Sequence, residues 1–231
     1  ERTRRAWEPD HHAELWEHAR IAFEQRSFQD FEEVYKNLRG HWQVFRGAPS
    51  HLSAKEAFEA LRNCDPEMRT RRLSSIHPED APEVWSVIQS IRSIKTTKYG
   101  SSVVAVSKFL HFWNPRLFII VDRMEMWHGV FRPSGFKQSV LQARDLMKAV
   151  MPDLFGNRFR WGYNLESYLM ILVWAGGLLR KSPAGMKEFE SYLGANDPKS
   201  ILPTYAKSYE AAAVEWLLLG IVAVNQAVLR G

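Results

Sequence analysis

The chain has 231 residues, 45% hydrophobic and 25% charged, enough to fill the core of one large or two-lobed domain and unlike a disordered or fibrous chain. Its formal net charge of +5 permits an acidic partner such as nucleic acid without requiring one. Cys64 is the only cysteine, which excludes an intrachain disulfide and a cysteine-rich metal site and fits a reducing, cytoplasmic compartment.

Leu15, Ala19, Ala22 and Phe23 share one helix face near the N-terminus. Ser27 is placed to cap a second helix carrying Phe28, Phe31, Val34, Tyr35, Leu38, Trp42 and Phe45, which Gly47 and Pro49 end. Ser53 caps a shorter helix through Leu61. From Asn63 to Pro78 the periodicity breaks, so the stretch reads as an exposed loop or short irregular segment and as the place for a lobe boundary. Asp80, Ala81 and Pro82 then start a helix with the apolar stripe Val84, Trp85, Val87, Ile88, Ile91 and Ile94. Thr96 to Gly100 is a turn into a strongly apolar helix, Val103 to Trp113, which Asn114 and Pro115 stop.

Leu117 to Val121 is an extended apolar run that delivers Asp122 to the start of a helix reaching about Val130. Pro133 begins a further helix, ended at Met151-Pro152, and a loop rich in Arg, Trp and Gly runs from Phe155 to Tyr163. Asn164 caps an apolar helix from Leu165 to Leu179, and a short amphipathic helix follows from Pro183 to Gly194. Pro203 leads into the last helix. Its stretch Ala211 to Leu229 is the most membrane-like, but Glu215, Asn225 and Gln226 interrupt it, so a buried core helix is expected and no membrane partner. The expected fold is all-α, one multi-helix globular domain over residues 1–231. It would have about ten helices, with a single strand-like piece near 117–121.

Apolar segments flank Asp122 on both sides, so its carboxylate needs either hydrogen-bond partners or a chemical task. As an N-cap it would satisfy free N–H groups of the following helix. Lys108, on an apolar helix, would snorkel to water, or if buried pair with Asp122 or act as a nucleophile. His11, Glu14 and His18 share a helix face but lack a metal-binding pattern, so a solvated face is expected and neither a metal nor a cofactor. Arg69, Arg71 and Arg72 form the one tight basic run and suit phosphate contacts as well as a plain charged surface. Phe159, Arg160 and Trp161 mix cation and aromatics as nucleic-acid loops do, or pack the loop on the core.

Gly100, the helix from about Val103 and the run Ile119-Ile120-Val121-Asp122 together resemble the core motif of the helix-hairpin-helix base-excision DNA glycosylases. In that family a glycine hairpin opens a helix, and a short apolar run ends in valine-aspartate. The second hairpin glycine falls at Ser102 here, and the lysine of the bifunctional members falls at Val104, with Lys108 one turn on along the same face. Ser107-Lys108, Leu110, Pro115, Leu117 and Asp122 are also similar to a signature, S-K-x-L…P-x-L…D, of a group of helical bacterial proteins that carries no known activity.

The first resemblance implies a glycosylase-like, two-lobed helical core acting on double-stranded DNA. Asp122 would steer water without a lysine Schiff base, and Trp113, Trp127, His128 and Trp161 would supply stacking faces for a base turned out of the duplex. Backbone N–H groups around Gly100 to Ser102, helped by Lys95 and Lys98, would hold a phosphate. The alternative is a non-enzymatic helical module whose Asp122 is an architectural cap and whose Trp-rich surface meets another protein.

Overall fold

The computed structural model describes residues 9–40, 53–92, 95–97, 100–101, 103–132, 134–181, 210–211, 214–215 and 217–218. The predicted features at 41–52, at 182–209 and beyond 218 lie outside these residues, as do Lys98 and Ser102. Helix α1 (Pro9–Glu24) buries Leu15, Trp16, Ala19, Ala22 and Phe23, and α2 (Phe28–Gly40) buries Phe31, Val34, Tyr35 and Leu38. The i, i+3, i+4 spacing of both sets gives each helix one apolar stripe, and the two pack as an antiparallel hairpin. Its reversal, Gln25 to Ser27, holds Arg26 at a left-handed φ of 57°. Across the joint His18 Nδ1 lies 2.9 Å from Asp30 Oδ1, and Ser27 also bonds the Asp30 carboxylate. These two partners, Ser27 first, hold Asp30 below the usual carboxylate range.

Helix α3 (Ala54–Arg62) starts with the predicted cap, made reciprocal: Glu56 N donates to Ser53 Oγ at 3.2 Å, and Ser53 N donates to Glu56 Oε2 at 2.7 Å. The stretch read as a loop after it is irregular but not exposed throughout. It contains α4 (Pro66–Thr70), capped by Asp65, and 3₁₀ turns at Leu73–Ser75 and Pro78–Asp80, and it buries Met68, Leu73 and Ile76 almost completely. Three apolar anchors spaced along a proline-punctuated stretch escape any periodicity test. Helix α5 (Ala81–Ser90) follows as the Pro82 signal predicts.

The predicted turn before the central helix is a small antiparallel pair, β1 (Lys95–Thr97) and β2 (Gly100–Ser101), with Lys95 opposite Ser101 and Thr97 opposite Gly100. Helix α6 (Val103–Trp113) is buried around most of its circumference, which marks the middle of the molecule. Its counterpart is α10 (Leu165–Lys181), capped by Asn164, whose Oδ1 accepts from Ser167 N at 2.8 Å. Between them in the chain come a π-helix (Arg123–Phe131), α7 (Ser134–Leu141), α8 (Arg144–Val150) and the single turn α9 (Pro152–Phe155). Residues 210–211, 214–215 and 217–218 are helical, and Ala211, Val214, Glu215 and Leu218 are buried, as expected of a core helix. The fold is all-α, and among the described residues no helix is long and apolar enough to cross a membrane.

Two expectations around the centre are made more specific by the structure. Leu117 to Val121 is not a strand: it has no β partner among the described residues, although all five side chains are at most 2% exposed. Apolar residues on both faces mimic a buried strand, but here the Asn114 carbonyl takes the first two N–H groups and side chains take most of the rest. The helix after Asp122 is π rather than α, with Trp127 N donating to Asp122 O at 2.9 Å and Arg132 N to Trp127 O at 2.7 Å, five residues apart in each case.

Candidate functional site

A buried backbone that forms neither helix nor sheet must find other partners, and the run before Asp122 finds them for most of its groups. His111 Nδ1 donates to the Phe118 carbonyl (2.7 Å) and Tyr168 Oη to that of Ile119 (2.9 Å). Ile120 N donates to Glu215 Oε2 (3.4 Å) and Val121 N to Ser107 Oγ (3.1 Å). Tyr163 Oη donates to the Val121 carbonyl (3.0 Å). Ser107 and His111 come from α6, Tyr168 from α10 and Glu215 from the C-terminal helical residues, so the run lies clamped between elements distant in sequence. Glu215 Oε2 is also 4.0 Å from His111 Nδ1, and Trp16 packs against the imidazole at 5.4 Å between ring centres.

This clamp delivers Asp122 to the surface half-buried, at the first turn of the π-helix. Tyr163 stands beside it. Burial, then the Asp122 charge, holds the Tyr163 hydroxyl well above the ordinary phenol range, with Arg123 and the backbone of Val104 acting the other way. Tyr168 is raised by burial and then by Glu215. A raised pKa in the folded state means that stability is fully present below the unfolded value, about 10, and is lost as pH rises above it. Chemical denaturation followed upward from pH 9 should therefore show stability falling, and the Tyr163→Phe/Tyr168→Phe double variant should show a shallower fall.

Trp127 of the π-helix meets Trp161 with ring centres 5.1 Å apart and Tyr163 at 5.6 Å. The loop that carries Trp161 and Tyr163 is fixed at its start by Arg144, which donates to the Phe155 and Gly156 carbonyls and lies over the Phe159 ring at 5.5 Å. At its end Asn164 Nδ2 donates to the Arg160 carbonyl (3.0 Å), and Gly162 N donates to Ser167 Oγ (3.2 Å). The Trp161 indole N–H is buried without an acceptor among the described residues, a donor that calls for an explanation. On the two segments that carry this aromatic cluster, Arg123, Arg132, Arg158 and Arg160 are exposed.

The chain matches no protein-family model, and no curated protein or solved structure is detectably similar to it.

The predicted stacking residues thus divide between two places. Trp127 and Trp161 meet next to Asp122, and His128 lies nearby, half-buried, accepting from Arg132 at 3.0 Å. Trp113 packs instead on Phe118 at the far end of the run. The arginine run divides too. Arg71 is held by Asp80 and Glu83, at 2.6 Å each, Arg72 reaches Glu210 at 2.8 Å, and Arg69 lines a separate groove. Arg160 is exposed, its guanidinium donating to the Asn157 and Phe159 carbonyls. Lys108 is half-buried on α6, one turn beyond Val104, and Lys95 and Gly100 lie in the β pair. Of the residues that build the site, sequence reasoning passed over Tyr163, Tyr168, Glu215, Arg123 and Arg132. Only Glu215 gave a signal, as a charge inside an apolar stretch.

Proposed function

We propose that the chain binds double-stranded DNA through the face formed by the π-helix and the 156–164 loop, and that it is related to the monofunctional base-excision glycosylases with Asp122 as its reacting carboxylate. The reading rests on one observation: a half-buried carboxylate acts on Tyr163, whose ring meets Trp127 and through it Trp161, on two segments whose Arg123, Arg132, Arg158 and Arg160 are exposed. Duplex phosphates would bind the arginines. Turning a base out of the stack costs a few kcal/mol, which aromatic contact offsets. Water then attacks the sugar carbon, the bond to the base breaks with its electron pair leaving on the base, and Asp122 stabilises the positive charge on the sugar and takes the proton of the water. Val104 stands where the bifunctional members carry lysine, so no Schiff base forms.

A second reading has its own support. Trp127 is only 7% exposed and already packs against Trp161, the rings tilted by 31°, which fills with the protein's own ring the slot a base would take. In that reading the face docks another protein and Asp122 is architectural. Fluorescence anisotropy with a labelled duplex, intact or carrying a damaged base, separates the two. The DNA reading expects affinity to fall steeply with salt, and Arg123→Ala and Arg160→Ala each to weaken binding and lower the salt slope by about one unit. Absence of binding to either duplex overturns it.

A further inference from the structure

A groove built from other elements, and independent of the face just described, carries a separate assignment. Two adjoining pockets, of about 120 and 340 Å³, share Phe23, Arg69, Thr70 and Trp113 as walls. They lie where the end of α1, the short α4 and the turn after α6 converge, and the larger is in the size range of small-ligand sites, about 300–1,000 Å³. Three arginines reach them: Arg26 in the larger, Arg116 in the smaller and Arg69 in both. None of these three guanidiniums has a hydrogen bond or ion pair among the described residues, whereas the other two lining arginines, Arg20 and Arg62, are already matched by Glu17, Glu24 and Glu59. Arg69 also contrasts with its neighbours Arg71 and Arg72, both in ion pairs. Arg26 occupies a left-handed backbone conformation, φ 57°, that glycine would adopt with less strain, yet places a long cation at the rim.

Unmatched guanidiniums are suited to phosphate oxygens, which they bind through paired, charge-assisted hydrogen bonds. Phe23 and Trp113, 9% and 5% exposed and packed behind on Phe58 and Phe118, line both pockets and give an apolar wall rather than an open stacking face. We propose that this groove binds a nucleoside phosphate, its phosphate between Arg69 and Arg116 or Arg26 and its base against the apolar wall. That chemistry is offered equally by a free nucleotide and by the 5′-phosphorylated end of a strand.

Isothermal titration of the full chain with AMP, adenosine, inorganic phosphate and a 5′-phosphorylated single-stranded oligonucleotide tests the assignment. AMP should bind saturably, and both adenosine and phosphate more weakly. Arg69→Ala should weaken AMP about tenfold or more, the loss expected when a charge-assisted contact goes. Its melting temperature should stay unchanged because the guanidinium holds nothing in the fold. Arg160→Ala and Asp122→Asn, which test the DNA face, should leave AMP binding intact. An oligonucleotide that binds more tightly than AMP identifies the strand end as the occupant; the reverse order identifies the free nucleotide. The proposal is overturned if AMP does not bind, if phosphate binds as tightly as AMP, or if Arg69→Ala binds AMP like the wild type.

Discussion

Replacing Asn114 by alanine should lower the stability of the fold by about 3 kcal/mol, the sum expected for stranding more than one buried backbone group. The side chain is 1% exposed, and all its hydrogen bonds run to the main chain: Nδ2 donates to the carbonyls of Met68 (2.7 Å) and Arg71 (2.9 Å), and Oδ1 accepts from Arg116 N (3.0 Å). Its own carbonyl accepts from Leu117 N and Phe118 N as the chain leaves α6. One residue therefore ties the irregular stretch around α4 to the start of the core run. Alanine removes the donor that both the Met68 and Arg71 carbonyls now share. Asn114→Asp should be worse, since a second acceptor would then face those carbonyls. Urea unfolding reads both as a lower midpoint at unchanged slope; a loss under about 1 kcal/mol for the alanine variant would show that the tie is not structural.

Gly176→Ala should destabilise, while the adjacent Gly177→Ala should stabilise. Both glycines lie inside α10, where alanine is favoured over glycine by about 1 kcal/mol. At Gly176 a Cβ would meet the Leu73 carbonyl oxygen at 2.5 Å and that of Ile76 at 3.1 Å. Those are backbone atoms of the Leu73–Ser75 turn and the residue after it and cannot swing away. Arg180, one turn on, donates to the Ser74 and Ile76 carbonyls and locks the same approach. At Gly177 only the end of the Arg180 side chain is near, at 3.8 Å. Overpacking of this kind costs about 1–3 kcal/mol, enough to cancel or exceed the helix gain. Thermal melts of the two variants should move in opposite directions, and an equal rise in both would mean that α10 does not touch the Leu73–Ser75 turn as closely as described.

Local chemistry made much of the fold legible. The Ser53 and Asn164 caps, the Asp80-Ala81-Pro82 start and the apolar stripes of α1, α2 and α5 each announce themselves within one or two turns of chain, because the groups that satisfy them are neighbours in sequence. The site was less legible for the converse reason. The partners of residues 118–121 lie as far away as Tyr168 and Glu215, so nothing near the run reveals that side chains rather than a neighbouring strand complete it. The π-helix is hidden because its apolar positions, Met126, Trp127, Val130 and Phe131, fit α spacing equally well. Arg71 and Arg72 look like their neighbour Arg69 in sequence. Only the fold brings Asp80, Glu83 and Glu210 to the first two and leaves the third facing a groove.

The account turns on whether the carboxylate that this clamped run delivers to the surface does chemistry or only holds the chain in place. Base release from duplexes carrying a panel of damaged bases, measured for the wild type and for Asp122→Asn alongside their melting temperatures, decides it. The account predicts release by the wild type and a fall of about a hundredfold or more in the variant, the size seen when one transition-state charge contact is lost, with the fold retained. No release by the wild type, or equal release by a variant whose melting temperature drops as for a lost helix cap, would contradict it.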